Sequence, residues 1–211
     1  MSVKRKLPYL LLLLVMPILG LFYTILNESP RKAEQIPLPI DHDIPFIVAF
    51  VVPYIFWYVF IFGYLVYFCF KDTDVYVRTL ITIVIGELIC FIIYFFFQTT
   101  VPRPTVEGSG AFVMLVKYIY AHDRPVNCFP SIHVLTTYAI MLASFHIKKM
   151  HKLNKYFIHI MGSLIILSTI FIKQHVVLDM VASMFLVAFI YSTVFAIVRM
   201  RSDAKENIGA Y

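Results

Sequence analysis

Long apolar runs broken by short polar stretches set the pattern of this chain. Six runs stand out, at about 7–26, 46–70, 79–97, 131–147, 156–173 and 176–198. A bilayer core of roughly 30 Å takes about 20 helical residues to cross. The pattern therefore predicts an all-α membrane bundle of six transmembrane helices, one domain over residues 1–211. The first run follows "MSVKRK", a basic start that also suits a signal peptide. It exceeds the roughly 7–15 apolar residues of a signal core, and no A-x-A-like site follows, so a retained helix is expected. No repeat or second domain is visible, and inverted-repeat transporter architecture finds no support.

Composition agrees with the pattern. The chain is 61% hydrophobic and 14% charged, with mean hydropathy +0.83, against about 45–50% and 25% for soluble domains. Position says more than the net charge of +6. Twelve of the 18 basic residues fall on one side of the expected helices: Lys4, Arg5, Lys6, Lys71, Arg78, Lys148, Lys149, Lys152, Lys155, Arg199, Arg201 and Lys205. The other six, Arg31, Lys32, Arg103, Lys117, Arg124 and Lys173, fall on the opposite side. By the positive-inside rule both termini are expected in the cytoplasm. Basic residues that flank helices form no single patch, which argues against nucleic acid as a partner. Cys69, Cys90 and Cys128 match no metal or redox spacing.

This topology gathers polar residues at the outer face. His133 falls in the first turn of the fourth helix and His175 just before the sixth, with Asp179 four residues on, about 6 Å along the same face. Arg103 follows the third helix, and Ser131 and Lys173 lie at the same level. Helix N-termini and fixed cations suit an anion such as phosphate. Two histidines allow a nucleophile and a general acid near neutral pH, and a carboxylate beside one would fix its tautomer. Blander readings exist for each residue taken singly. A His–Asp pair at i,i+4 can be helix glue, Ser131 only a cap, and His42, His122, His146, His151 and His159 read as interfacial residues.

The motifs "RP" (103–104), "PSIH" (130–133) and "STIFIKQHVVLD" (168–179) resemble those of the type-2 phosphatidic acid phosphatase superfamily, K-x6-R-P, P-S-G-H and S-R-x5-H-x3-D. The branch they resemble most includes inositol phosphorylceramide synthases and bacterial relatives. The resemblance implies a metal-independent membrane lipid phosphatase or phosphotransferase that needs no cofactor. In it His175 attacks phosphorus to give a phosphohistidine, Asp179 supports His175, and His133 protonates the leaving oxygen. Arg103 and Ser131 would hold phosphate oxygens, at a site on the extracytoplasmic side of a multi-pass cell-membrane protein. The partners implied are a lipid phosphate and water or an alcohol acceptor. A zinc site from His133, His175 and Asp179 is the alternative use of the same side chains.

Three positions depart from the family pattern: Phe96 stands at the lysine, Ile132 at the glycine and Thr169 at the arginine. Lys173, four residues after Thr169, would return one charge to that face if the helix were continuous. Arg124 is a second replacement candidate. Fewer cations favour a singly charged phosphodiester donor over a phosphomonoester. Strict transfer of a phospho-headgroup is thus one alternative, and a non-catalytic anion or lipid transporter or binding protein is another. Glu87, mid-helix in "VIGELIC", is expected to bond a neighbouring helix as a neutral carboxyl, with a lipid-headgroup or proton role as the alternative. "IPLPIDHDIPF" reads as an outer loop whose Asp41 or Asp43 could meet a headgroup or acceptor, and 110–123 as an interfacial or re-entrant helix covering the site.

Overall fold

The computed structural model describes the backbone of residues 3–29 and 31–208 and the side chains of 5–29 and 31–197. Lys4, Arg199, Arg201 and Lys205, counted above by charge, lie outside the described side chains. The described residues are helical, with no strand and only two isolated bridges, Glu34 to Thr99 and Thr100 to Val126. In chain order the helices are α1 (Val3–Leu11), α2 (Val15–Glu28), α3 (Ile40–Asp43), α4 (Val51–Lys71), α5 (Thr73–Phe96), α6 (Ala111–His122), α7 (Ile132–Ser144), α8 (Lys152–Phe171) and α9 (Val177–Ile208).

Local chemistry sets several of these boundaries. Asp72 caps α5 by accepting from the Val75 amide at 3.2 Å, and Ser131 caps α7 from Val134 at 3.4 Å. Pro17 has no N–H for the Leu13 carbonyl, and the chain tightens into a 3-10 turn at Leu12–Leu14. Helices α1 and α2 nonetheless continue as one apolar rod from Arg5 to Glu28.

Among the described residues, five helical stretches are long and apolar enough to cross a membrane: Arg5–Glu28, Val48–Lys71, Thr73–Phe96, Lys152–Phe171 and Val177–Ile197. This is compatible with a multi-pass membrane protein. The fourth expected span differs. Helix α7 has 13 residues, about 20 Å, short of the roughly 30 Å that lipid imposes. Its apolar run continues past Ser144 into turns at Phe145–Lys149. The reason lies in its position. It packs against α4, α5, α8 and α9 and buries most of its side chains, so protein rather than lipid surrounds it.

Close approach to α7 depends on two glycines. A Cβ on Gly86 of α5 would sit 2.8 Å from Leu135, and one on Gly162 of α8 2.7 Å from Met141. Small residues let helices touch where lipid provides no hydrophobic drive. Hydroxyls buried in the bundle bond their own helix: Thr79 to the Val75 carbonyl, Ser168 to Ile165, Thr169 to Ile166 and Ser183 to Asp179, all at 2.6–2.8 Å. None of these polar groups needs a neighbouring helix to be satisfied.

The bundle has two distinct ends. At one, Lys6 bonds Thr73, Tyr76 bonds the Tyr9 carbonyl at 2.8 Å, and Tyr64 bonds Asn154 at 2.8 Å. At the other meet the C-terminal ends of α2, α5 and α8 and the N-terminal ends of α4, α7 and α9. Asn27 and the Arg124 backbone exchange two hydrogen bonds there, at 3.1 and 3.2 Å, and Tyr94 bonds the Pro130 carbonyl. The motif residues all lie at this second end.

Candidate active site

His175 follows a break in the chain rather than a continuous helix. Helix α8 stops at Phe171, Lys173 turns through φ 53°, and the Thr169 carbonyl accepts from both Gln174 (2.9 Å) and His175 (3.0 Å). This knot fixes the backbone just before α9. The His175 Nδ1 then faces two acceptors, the Cys128 carbonyl at 2.9 Å and Asp179 Oδ2 at 3.2 Å. A carbonyl only accepts, so Nδ1 carries a proton, and in the neutral ring the lone pair is on Nε2. The same Asp179 oxygen takes the Val176 amide at 3.0 Å, while Oδ1 is buried without a partner.

His133 stands beside it, ring centroids 6.3 Å apart. Its ring lies against Tyr54 at 4.5 Å and Trp57 at 4.2 Å, and Trp57 is itself anchored to Thr136 at 2.9 Å. His133 Nε2 is buried with no partner among the described residues. Both histidines line a cavity of about 830 Å³. Its walls come from α2, α4, α5 and α6, including Tyr23, Tyr58, Tyr94, Tyr118, Asp123 and Asn127.

The candidate phosphate ligands divide. Arg103 is at this end, but its guanidinium donates to the carbonyls of Asp123 (2.8 Å) and Tyr120 (3.3 Å) and to Gln174 Oε1, with Nε buried and unpaired. Ser131 is fully buried and serves as the α7 cap. Lys173 does not return to the Thr169 face, because α8 has ended. Its ammonium binds the carbonyls of Asp41 (3.2 Å) and Ile44 (2.6 Å). Arg124 is exposed, and only its backbone is engaged, by Asn27. Of the predicted site residues only His133 and His175 line the cavity; Arg103, Ser131, Lys173, Arg124 and Asp179 do not. Asp41 turns out to be a brace, taking the Val177 amide at 2.8 Å and the Leu38 amide at 2.7 Å. Glu87 makes no hydrogen bond to any described residue and lines the cavity instead, so the expected interhelical bond is not formed.

Three residues escaped the sequence reading. Asn127, at φ 61°, accepts from Gln98 at 2.8 Å and leaves Nδ2 buried and unpaired. Gln174 holds Arg103 and leaves Nε2 likewise unpaired. Asp123 accepts the Tyr23 hydroxyl at 2.9 Å and faces the cavity. Burial pushes its carboxyl above its ordinary value, against the Tyr23 hydrogen bond and the nearby Arg103 guanidinium. Burial also pushes the Cys128 thiol up, which keeps it protonated. The available signals were faint: an asparagine that tolerates a left-handed turn, and an amide next to a histidine in an apolar stretch.

Five of the seven buried unpaired polar atoms among the described residues thus belong to Arg103, Asn127, His133, Gln174 and Asp179. Four of the five are side-chain nitrogens, and three of those carry N–H groups in any protonation state. Such a cluster suits a ligand rich in acceptor oxygens. Compared with family models, curated proteins and solved structures, the chain matches none.

Proposed function

We propose that the protein is a lipid phosphatase or phosphotransferase that cleaves a lipid-linked phosphate ester through a phosphohistidine. Six crossings with both termini cytoplasmic would put the site at the outer face of the cell membrane. The observation that carries the reading is the His175 ring: Nδ1 is fixed by Cys128 and Asp179, and the remaining nitrogen has a free lone pair beside His133 in a lipid-sized cavity. Nε2 attacks phosphorus and the bond to the leaving oxygen breaks, taking a proton from His133. Water or an alcohol then attacks phosphorus, gives its proton back to His133 and releases His175. Asp179 balances the charge on the phosphorylated ring. Arg103, Asn127, Ser131 and Gln174 supply donors for the phosphoryl oxygens.

A second reading within the same chemistry has support from Lys173 and Arg124. Neither lines the cavity, whereas Arg103 is bonded to Asp123 of its wall. That suits a phosphodiester donor with one charge and transfer to an alcohol. The rival is a binding or transport protein, for which a nucleophile fixed opposite an acid would have no use.

Purified protein in detergent, given phosphate-labelled lipid monoester, diphosphate and diester donors with and without alcohols, tests all three. Turnover with label trapped on the protein, lost in His175→Ala, supports the mechanism. Label released as phosphate marks a phosphatase, and label only on the alcohol a transferase. Unchanged turnover in His175→Ala sinks the covalent mechanism, and no turnover on any donor favours the rival.

A further inference from the structure

The cavity extends well beyond the histidines. Glu87 lies on α5 seven residues before Tyr94, so its backbone is about 10 Å farther down the bundle. The other walls keep pace. Gly20 precedes Asn27 by seven residues on α2, and Phe62 follows Tyr54 by eight on α4, about 10 and 12 Å. The cavity is therefore a slot that leads from the reacting end into the apolar middle of the bundle. Its volume of about 830 Å³ falls within the roughly 300–1,000 Å³ of small-molecule sites.

Glu87 is only 5% exposed and lines this slot, yet it makes no hydrogen bond to any described residue. Met16, Pro17, Gly20 and Phe62, which wall the same depth, offer it no side-chain partner. A polar group buried at membrane depth is strongly disfavoured unless something bonds to it.

We propose that Glu87 accepts a hydrogen bond from a hydroxyl or amide N–H in the apolar part of a lipid, within about 10 Å of the group lying against His133 and His175. It rests on the reading above only in assigning the phosphate, or the alcohol that receives it, to the histidine end. A carboxyl group keeps an acceptor oxygen whether ionised or protonated, so it bonds a donor group in either state; protonated it also donates, and an amide, with both N–H and carbonyl, then makes two bonds where an ester makes one. The lipid selected is one with a donor group partway along its chain. A plain hydrocarbon or isoprenoid chain has nothing to offer Glu87. Donor and acceptor lipids can both carry such a group, and the slot recognises the chemistry they share.

Trp57, the chain's one tryptophan, lines the cavity and touches His133, so its fluorescence reports binding without turnover. The probes are pairs of long-chain alkyl phosphates that differ at one place, stepped along the chain within about 10 Å of phosphorus, with an amide in one and an ester in the other. The matching phosphate-free alcohols form the second arm. Wild type is expected to bind the amide about tenfold more tightly than the ester. In Glu87→Met both should bind with the ester's affinity, while Glu87→Gln, which retains a carbonyl acceptor, should keep the preference. Preference among the phosphates assigns the slot to the donor lipid, and preference among the alcohols to the acceptor. Equal binding of amide and ester by wild type overturns the proposal, as does an unchanged preference in Glu87→Met or the absence of any lipid-dependent change. The wild-type ratio requires no variant, so a substitution that folds poorly does not shield the idea. A preference without turnover on any donor would sink the catalytic reading alone, and turnover without preference this one alone.

Discussion

His175 Nδ1 has two acceptors where one would fix the tautomer, and the duplication has a kinetic consequence. In a triad whose carboxylate alone orients the histidine, Asp→Asn costs about 10⁴ in kcat. Here the Cys128 carbonyl, 2.9 Å away, still holds the Nδ1 proton after such a change. Asp179→Asn should therefore slow turnover by only about 10–100-fold, read as kcat on a labelled donor, with lipid binding intact. A drop near 10⁴ would mean that the carbonyl does not hold the ring. Lys173 differs again. Removing its ties to Asp41 and Ile44 in Lys173→Met should cost about 1.5–3 kcal/mol of stability and lower kcat, while donor affinity stays as in wild type. Weakened donor affinity would return Lys173 to the phosphate. Asp123 brings pH into play. Its carboxyl titrates above the ordinary value because of burial, so the folded state holds that proton more tightly than the unfolded chain. This contribution to stability is complete below the unfolded pKa and disappears as pH rises through the folded one. Asp123→Asn should accordingly raise the melting temperature at neutral pH and leave it near wild type in acid. The reverse pattern would mean that Tyr23 and Arg103 outweigh burial. Histidines and aspartate at fixed spacing were legible because their types announce chemistry. Asn127 and Gln174 were not, since an amide gives no such sign until the loop around it has folded.

Among the elements, the long runs were read correctly as helices because lipid imposes a length that apolarity alone can meet. The fourth run failed for the converse reason. Apolar residues face protein as readily as lipid, and Phe145 and Ile147 extend the run although the helix has ended at Ser144. Lys173 was misplaced by the same kind of error, an assumption that α8 continues past Phe171. Packing on α7 depends on the two glycines. Gly162→Leu should lower stability by about 1–3 kcal/mol through overpacking, measured by unfolding in detergent. Met141→Ala in the same chain should recover part of the loss, because Met141 is the atom group in the way. No recovery would place the strain elsewhere.

Across the whole molecule, the basic residues within the described side chains separate toward the two ends much as the loop charges suggest, with Lys6 and Arg78 at one and Arg103, Arg124 and Lys173 at the other. Which end faces the cytoplasm is testable because all three native cysteines are buried. With the proposed orientation, Lys117→Cys should react with an impermeant thiol reagent on intact cells and Lys152→Cys only after lysis. The opposite result would invert the protein. The first rod also shapes how a ligand arrives. Helix α2 packs mainly on α5, and it shares the cavity walls with α4 instead of closing against it. Pro17, Gly20, Ile55 and Phe62 line that cavity and are exposed on the apolar flank. A lipid using this entrance never leaves its layer. Encounter then takes place in two dimensions, so turnover should follow the mole fraction of substrate in the micelle or vesicle. Adding inert lipid should slow the reaction, while diluting the whole suspension with buffer should leave the rate per protein unchanged.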